Sequence, residues 1–263
     1  MFLTALLFNF KRITLKSGVL MGVAAFTFGS IYYQAIFPIS MFLTLALLAL
    51  YGYKTNRLWL MIVGSMAASF TYSTGFLLPV ALGIGILLTK DRPVRARVKR
   101  AALINGLGAL TVLFYFAILQ IEVGDWQAFI KVQSVYGHGI ESPIKRIGHR
   151  IEEMPRPVFQ LANVPHLQSG LVLAGYLLLS FFFWTKKVLR TPFLIMLYAY
   201  VSLYILFPWT VGGNLSMYRA ESLLLPSVFF LAKVKTRYTI AYLLILMAVW
   251  LPMSYLFFTN VLV

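Results

Sequence analysis

The stretch Leu58-Trp59-Leu60-Met61-Ile62-Val63-Gly64-Ser65-Met66-Ala67-Ala68-Ser69-Phe70, then Thr71-Tyr72-Ser73-Thr74-Gly75, then Phe76-Leu77-Leu78-Pro79-Val80-Ala81-Leu82-Gly83-Ile84-Gly85-Ile86-Leu87-Leu88-Thr89 decides how the chain is read. Two apolar pieces, 58–70 and 75–89, flank a polar break, and each is shorter than the roughly 20 residues that a full membrane crossing takes. Lys54 and Arg57 precede the first piece and Lys90 to Arg100 follow the second, so both outer ends are basic. The pattern predicts two half-helices that meet at a break inside the membrane. Irregular backbone survives there only where it is buried in protein or lines a polar cavity. Gly75 is expected at the tightest point of the break, where a Cβ would crowd the turn.

Outward from this pair the chain has the same character. Of 263 residues 60% are hydrophobic, 16% aromatic and only 11% charged, far below the roughly 25% charge that a water-soluble domain uses to solvate its surface. Further apolar runs at 17–34, 38–53, 99–121, 169–185, 192–208, 216–232 and 238–258, with a short apolar start at 2–9, predict an all-α polytopic membrane protein. It has about 8 membrane segments, the broken pair included, in a single transmembrane domain over 1–263. There are no cysteines, and His138, His149 and His166 are too far apart to form a metal motif.

The net charge of +16 is a topology signal. If the loops that hold Lys11, Arg12, Lys16, Lys54, Arg57, Lys90, Arg92, Arg95, Arg97, Lys99, Arg100, Lys186, Lys187, Arg190, Lys233, Lys235 and Arg237 are cytoplasmic, that side carries all the excess charge with Asp91 as its one acid. The opposite side then balances Lys131, Lys145, Arg146, Arg150, Arg156 and Arg219 against Glu122, Asp125, Glu141, Glu152, Glu153 and Glu221. No nucleic-acid partner is needed to explain the basic composition; the expected partners are membrane lipids, in a multi-pass protein of the plasma (inner) membrane.

The segment 122–168 is the one long non-cytoplasmic loop, and it is expected to hold two interfacial amphipathic helices. Asp125 can cap a helix through Tyr136 that places Trp126, Phe129 and Ile130 on one face, with Gly137 and Gly139 as its stop. A second helix is expected after Ser142-Pro143, with Ile144, Ile147, Ile151 and Met154 opposite Lys145, Arg146, His149 and Arg150. Mid-span ionisable residues, which channel and carrier chemistry would require, are nearly absent. Arg219 and Glu221 stand at the mouth of a span, in Gly212-Gly213-Asn214-Leu215-Ser216-Met217-Tyr218-Arg219-Ala220-Glu221. Two readings are open for Arg219: a cation that snorkels to the headgroups with Glu221 as its partner, or a guanidinium that meets a lipid-linked phosphate beside a helix N-terminus. Asp125 is either a helix cap or a hydrogen-bond or metal partner for a substrate at the outer face.

Three stretches resemble the PIG-V-like mannosyltransferase family of the GT-C membrane glycosyltransferases. Ile36-Phe37-Pro38-Ile39-Ser40-Met41-Phe42-Leu43, continuing through Leu58-Trp59-Leu60 to Thr71-Tyr72-Ser73-Thr74-Gly75, is similar to the family's FP-S-F helix and TRP-G break, with Tyr72 where the family has arginine. Gly124-Asp125-Trp126-Gln127-Ala128-Phe129-Ile130-Lys131-Val132-Gln133-Ser134-Val135-Tyr136-Gly137 is similar to the outer-loop motif GDPLAF…Q…WG, and Leu215-Ser216-Met217-Tyr218-Arg219-Ala220-Glu221-Ser222-Leu223-Leu224-Leu225-Pro226 to S-P-RY…FP. Order and spacing agree over about 36–232. The resemblance implies transfer of a hexose, mannose in that family, from a polyprenyl-phosphate donor to a lipid or glycan acceptor on the non-cytoplasmic face. It implies a substrate site that includes Tyr72, Asp125, Gln133, Ser216, Arg219 and Glu221, with Arg219 or a divalent metal stabilising the leaving phosphate. The family's early-loop acid has no counterpart here, which leaves the catalytic residue unknown. The chain thus looks like the C-terminal two-thirds of such an enzyme: truncated, one part of a split protein with a missing N-terminal part or partner subunit, or no longer catalytic. A non-catalytic scaffold with the same fold, or a polyprenyl-linked glycan flippase or polymerase, is the alternative.

Overall fold

A computed structural model describes residues 2–8, 14–33, 38–90, 92–135, 142, 144–145, 148, 152, 160–187, 190–211 and 217–259, and these are helical with short turns. In chain order the helices are α1 (Phe2–Phe8), α2 (Leu15–Phe26), α3 (Ile39–Lys54), α4 (Leu58–Thr71), α5 (Leu77–Leu88), α6 (Val94–Val123), α7 (Ala128–Val135), α8 (Val164–Thr185), α9 (Pro192–Val211), α10 (Met217–Ala220), α11 (Val228–Leu231) and α12 (Thr236–Phe258). Short 3-10 turns lie at Ser30–Tyr33, Leu161–Asn163 and Glu221–Ser227. The protein is all-α, and α6, α8, α9 and α12 are long and apolar enough to cross a membrane. The second expected interfacial helix lies mostly outside the described residues.

α9 is the axis of the bundle: 56% of its apolar window is buried, against 17% for α6 and 22% for α8 and α12, which present most of their surface to lipid. Its side chains Leu197, Tyr200 and Tyr204 are almost fully buried, packed in one core with Phe42 and Leu50 of α3 and with Leu78 and Leu82 of α5. α4 lies along α3 so closely that a Cβ on Gly64 would come within 2.8 Å of the Ala49 nitrogen. The basic turns gather at one end. Lys54 donates to the Leu7 carbonyl, Arg100 to Asn56 Oδ1 at 2.8 Å, and Lys16 to the Ala232 carbonyl at 2.7 Å.

The expected break between two half-helices is present. α4 ends at Thr71, Tyr72 is extended (φ −142°, ψ 141°), and α5 begins at Leu77 after a tight turn in which the Gly75 N–H donates to the Tyr72 carbonyl at 2.8 Å. Both outer ends sit at the basic end, where Asn56 meets Arg100 and Thr89 meets Tyr53, so α4 and α5 form a helical hairpin. Its tip is packed against α9, where the Tyr204 hydroxyl donates to the Thr74 carbonyl at 3.1 Å.

Two other expected spans differ from the sequence reading. The run 17–34 is not one helix: α2 stops at Phe26, the chain turns through Gly29 (φ 69°), and a 3-10 turn carries Tyr32 and Tyr33 inward. The run 216–232 is an irregular inner segment, with seven 3-10 residues between α10 and α11. Pro226 lies inside it and has no N–H to give, so continuous α-helix would leave carbonyls unpaired.

The turn at Gly75 has a direct test. A Cβ there would fall against the Ala68 carbonyl, 2.7 Å from its carbon and 2.7 Å from Ser69 Cα, whereas one at Gly106 meets nothing within 4 Å. Gly75→Ala is expected to destabilise the protein by about 1–3 kcal/mol through overpacking of rigid backbone. Gly106→Ala should be neutral or stabilising by up to about 1 kcal/mol. Thermal unfolding in detergent separates them; equal midpoints would show that the tip is not tightly packed.

Candidate functional site

Where the three irregular segments meet, at the end of the bundle away from the basic turns, their side chains form one polar and aromatic cluster. Its logic begins with the backbone. Pro226 removes the donor that an α-helix would supply to the Ser222 carbonyl and a 3-10 helix to the Leu223 carbonyl. Each is met from elsewhere: the Tyr33 hydroxyl donates to Ser222 O at 2.6 Å and the Tyr200 hydroxyl to Leu223 O at 2.8 Å. The Tyr200 and Tyr204 rings lie 4.4 Å apart, and Phe42 bridges Tyr204 and Tyr72 with centroid separations of 5.7 and 5.9 Å.

On this support sit the charged groups. Glu221 is buried, with 4% relative exposure, and its Oε2 accepts from Gln168 Nε2 of α8 at 2.6 Å. A buried carboxylate needs such donors, because desolvation of an unpartnered charge costs several kcal/mol. Arg219 is partly buried, with its guanidinium 5.8 Å from the centre of the Tyr32 ring. The Ser222 hydroxyl donates back to the Arg219 carbonyl. Arg219, Glu221 and Tyr72 of the sequence-derived set are thus brought into one region, together with Tyr32, Tyr33, Gln168, Tyr200 and Tyr204, which the sequence reading did not single out. Gln168 falls at the end of the loop 122–168 in the sequence reading, whereas the structure places it in the second turn of α8. The tyrosines carried little signal, being ordinary residues of apolar helices.

The helix-terminus argument for Arg219 needs correction. Among the described residues α10 has four residues and is followed by 3-10 structure, so no extended helix runs on from the guanidinium there. Ser216, His138 and His149 lie outside the described residues, and His166 stands in the first turn of α8.

Asp125 and Gln133 are placed elsewhere. They belong to the α7 segment, which packs on the far end of α6 through Trp126 against Phe116 (5.9 Å) and Phe129 against Tyr115 (6.0 Å). Asp125 does begin this segment, as the cap reading expected: its Oδ1 accepts from the Gln127 N–H at 2.9 Å and its Oδ2 from Lys131 Nζ at 2.6 Å. Gln133 is half-buried on the same helix. Among the described residues no three His, Asp or Glu side chains come together as a metal-binding group.

Comparison of the chain with models of known protein families, with curated proteins and with solved structures finds no match.

The tyrosine cluster predicts a specific pattern of stability. Tyr200→Phe removes the donor from the Leu223 carbonyl that Pro226 leaves without its 3-10 partner and should cost about 1–3 kcal/mol, whereas Tyr33→Phe removes the second donor to the Ser222 carbonyl and should cost about 0.5–1.5 kcal/mol. Tyr238→Phe, at an exposed position, should stay within about 0.5 kcal/mol of wild type. Thermal unfolding in detergent reads all three.

Asp125 gives a pH prediction. Lys131 first, and then the Gln127 N–H, hold its carboxyl below the ordinary aspartate value. The folded pKa lies below the unfolded one, so the stabilisation is present above about pH 4 and is lost as pH falls through the folded value. Trp126 fluorescence should therefore change as α7 loosens in acid, and Asp125→Asn should abolish that dependence. An unchanged acid transition in the variant would remove Asp125 from this role.

Proposed function

We propose that the chain is a GT-C-like membrane protein that binds the phosphate of a polyprenyl-linked sugar at its non-basic end and serves hexosyl transfer, mannosyl by resemblance, to a lipid or glycan acceptor. The observation that carries this reading is Arg219, held over Tyr32 where three helices break within the bundle. Broken helices that surround a charged residue inside a bilayer are the arrangement membrane proteins use for polar substrates, because elsewhere the backbone could not stay irregular. Arginine suits a phosphate through its planar set of donors.

In the proposed reaction the acceptor hydroxyl oxygen attacks the anomeric carbon and gives its proton to a base. The bond from that carbon to the phosphate oxygen breaks, its electron pair leaves with the lipid phosphate, and Arg219 stabilises the charge that develops there. The base is not assigned to a residue of this chain. Glu221 is buried against Gln168 and Asp125 is engaged by Lys131, so neither is placed as a free base. That same observation favours, as a second reading, a scaffold that holds the donor lipid for an active centre in another segment or subunit.

Orientation in the inner membrane follows from the charges. The end that gathers Lys16, Lys54, Arg100, Lys186 and Lys233 is proposed to be cytoplasmic, which puts Arg219 toward the opposite face. Single cysteines at Ser142 and Arg95, both exposed, test this. Membrane-impermeant labelling from outside should reach the first alone, and the reverse result would invert the protein.

Binding decides the site. Arg219→Ala should weaken polyprenyl-phosphate binding by about ten- to a hundredfold, the range expected for a lost charge-assisted contact of about 1.5–3 kcal/mol. Arg219→Lys should recover only part of it, because the fork geometry is lost. Purified protein titrated with polyprenyl phosphate in detergent, with thermal unfolding as the folding control, gives the answer; equal binding by all three proteins would end the lipid-phosphate reading.

A further inference from the structure

A groove with a volume of about 710 Å³ runs along the lipid-facing side of the bundle, between α8, α9, the Glu221–Leu231 segment and α12. Its walls are apolar, with Leu171, Leu179, Ile205 and Phe230 among them. Lys186, Lys233 and Lys235 stand at one end beside Tyr238, and Thr27 and Phe28 of the turn after α2 line the groove as well. Along α8 it extends from Leu171 to Lys186, about 22 Å at 1.5 Å per residue. Gly175 lies midway, and a Cβ there would meet nothing within 4 Å, so the helix wall is open at that point. The three lysines are exposed, and no Asp or Glu is found among the described residues that line the groove.

We propose that this groove is a binding site for an anionic phospholipid from the leaflet at the basic end. The headgroup phosphate lies among Lys186, Lys233 and Lys235, and one acyl chain follows α8 past Gly175 toward Phe28. The argument rests on charge and shape together. Lipid tails gain no hydrophobic free energy by leaving other tails, so an apolar groove alone selects no lipid. Discrimination must come from the headgroup. Lysines whose stems run along apolar wall while their ammonium groups stay at the interface suit a phosphate that carries net negative charge. Arg237 reinforces the same end, donating to the Tyr238 hydroxyl at 2.9 Å. The site is independent of the one at Arg219, which lies at the other end of the bundle.

The test uses the full chain in nanodiscs and in detergent, with phosphatidylglycerol as the probe and phosphatidylcholine as the neutral reference. Wild type should retain phosphatidylglycerol through purification and be protected by it from thermal unfolding, with phosphatidylcholine and inorganic phosphate giving little protection. Each lysine near an anionic headgroup contributes about a fivefold factor. The triple variant Lys186→Gln, Lys233→Gln, Lys235→Gln should therefore lose at least about tenfold in phosphatidylglycerol affinity after salt screening. Gly175→Trp, which places an indole in the open part of the groove, should reduce retention without lowering the unfolding temperature of lipid-free protein. If Gly175→Trp does not fold, photo-crosslinking of wild type with a diazirine-tailed phosphatidylglycerol still decides: label should fall on α8 and α12 near Leu171 to Leu179. Equal retention of both lipids by wild type, undiminished retention by the triple variant, or label elsewhere overturns the proposal. So does a groove found closed by a second copy, seen as a dimer that Gly175→Trp disrupts and phosphatidylglycerol leaves unaffected.

Discussion

The broken backbone at Thr74, Ser222 and Leu223 is the constraint on which the rest of the structure depends. In water a broken helix turns its freed carbonyls to solvent, but in hydrocarbon each unsatisfied group costs several kcal/mol, so a membrane helix that breaks must find donors in its own protein. Here the Thr74 carbonyl accepts from the Leu77 N–H at 3.0 Å and also from the Tyr204 hydroxyl, and the Tyr33 and Tyr200 hydroxyls donate to Ser222 and Leu223. A phenol is well suited to this, since its ring packs as an apolar body while its O–H reaches a polar tip. The demand fixes much else. α9 must be central because it supplies two of the three tyrosine donors, and the turn after α2 must come inward because Tyr33 supplies the third.

That inward turn and the 3-10 segment hold Arg219 and Glu221 where ionisable groups are otherwise expensive. The Gln168 contact anchors Glu221 to α8, and the Tyr32 ring gives Arg219 a face on which a cation rests favourably. Hydrogen bonds from tyrosine to backbone, rather than ion pairs alone, supply the rigidity. This bears on the proposed phosphate contact, because a guanidinium contributes most when its orientation is already set before the ligand arrives.

Much of this was legible in the sequence, and the reasons it was not all legible are physical. The break at Thr71 to Gly75 could be read because it is local: two apolar runs too short to cross, polar residues between them and cations at both outer ends. The capping role of Asp125 was readable for the same reason, within two to six residues of its partners. The interruption of the run 17–34 was hidden because Thr27 and Gly29 are ordinary in apolar spans, where small residues pack helices as often as they turn them. Pro226 did announce a carbonyl without a donor. Its remedy was out of reach, since Tyr33 lies 189 residues from Ser222 and nothing in either neighbourhood pairs them. The placement of Asp125 and Gln133 away from Arg219 was hidden likewise, because sequence order brings motifs into register without stating which helix faces which.

The turn from Thr27 to Tyr33 joins the two ends of the argument. On one side Phe28 and Thr27 line the apolar groove; on the other Tyr32 lies under Arg219 and Tyr33 holds the Ser222 carbonyl. α2, at twelve residues, is about 18 Å long and could not reach across the bilayer as a straight helix. Its early stop converts what would have been the rest of a span into a short piece of backbone that serves a lipid-facing wall and a polar cluster at once. A second conformation would be needed before such sharing could carry a signal between the two regions. What the geometry establishes is common support: any change that straightens this turn removes the Tyr33 donor from Ser222 and the Tyr32 ring from Arg219 in the same movement.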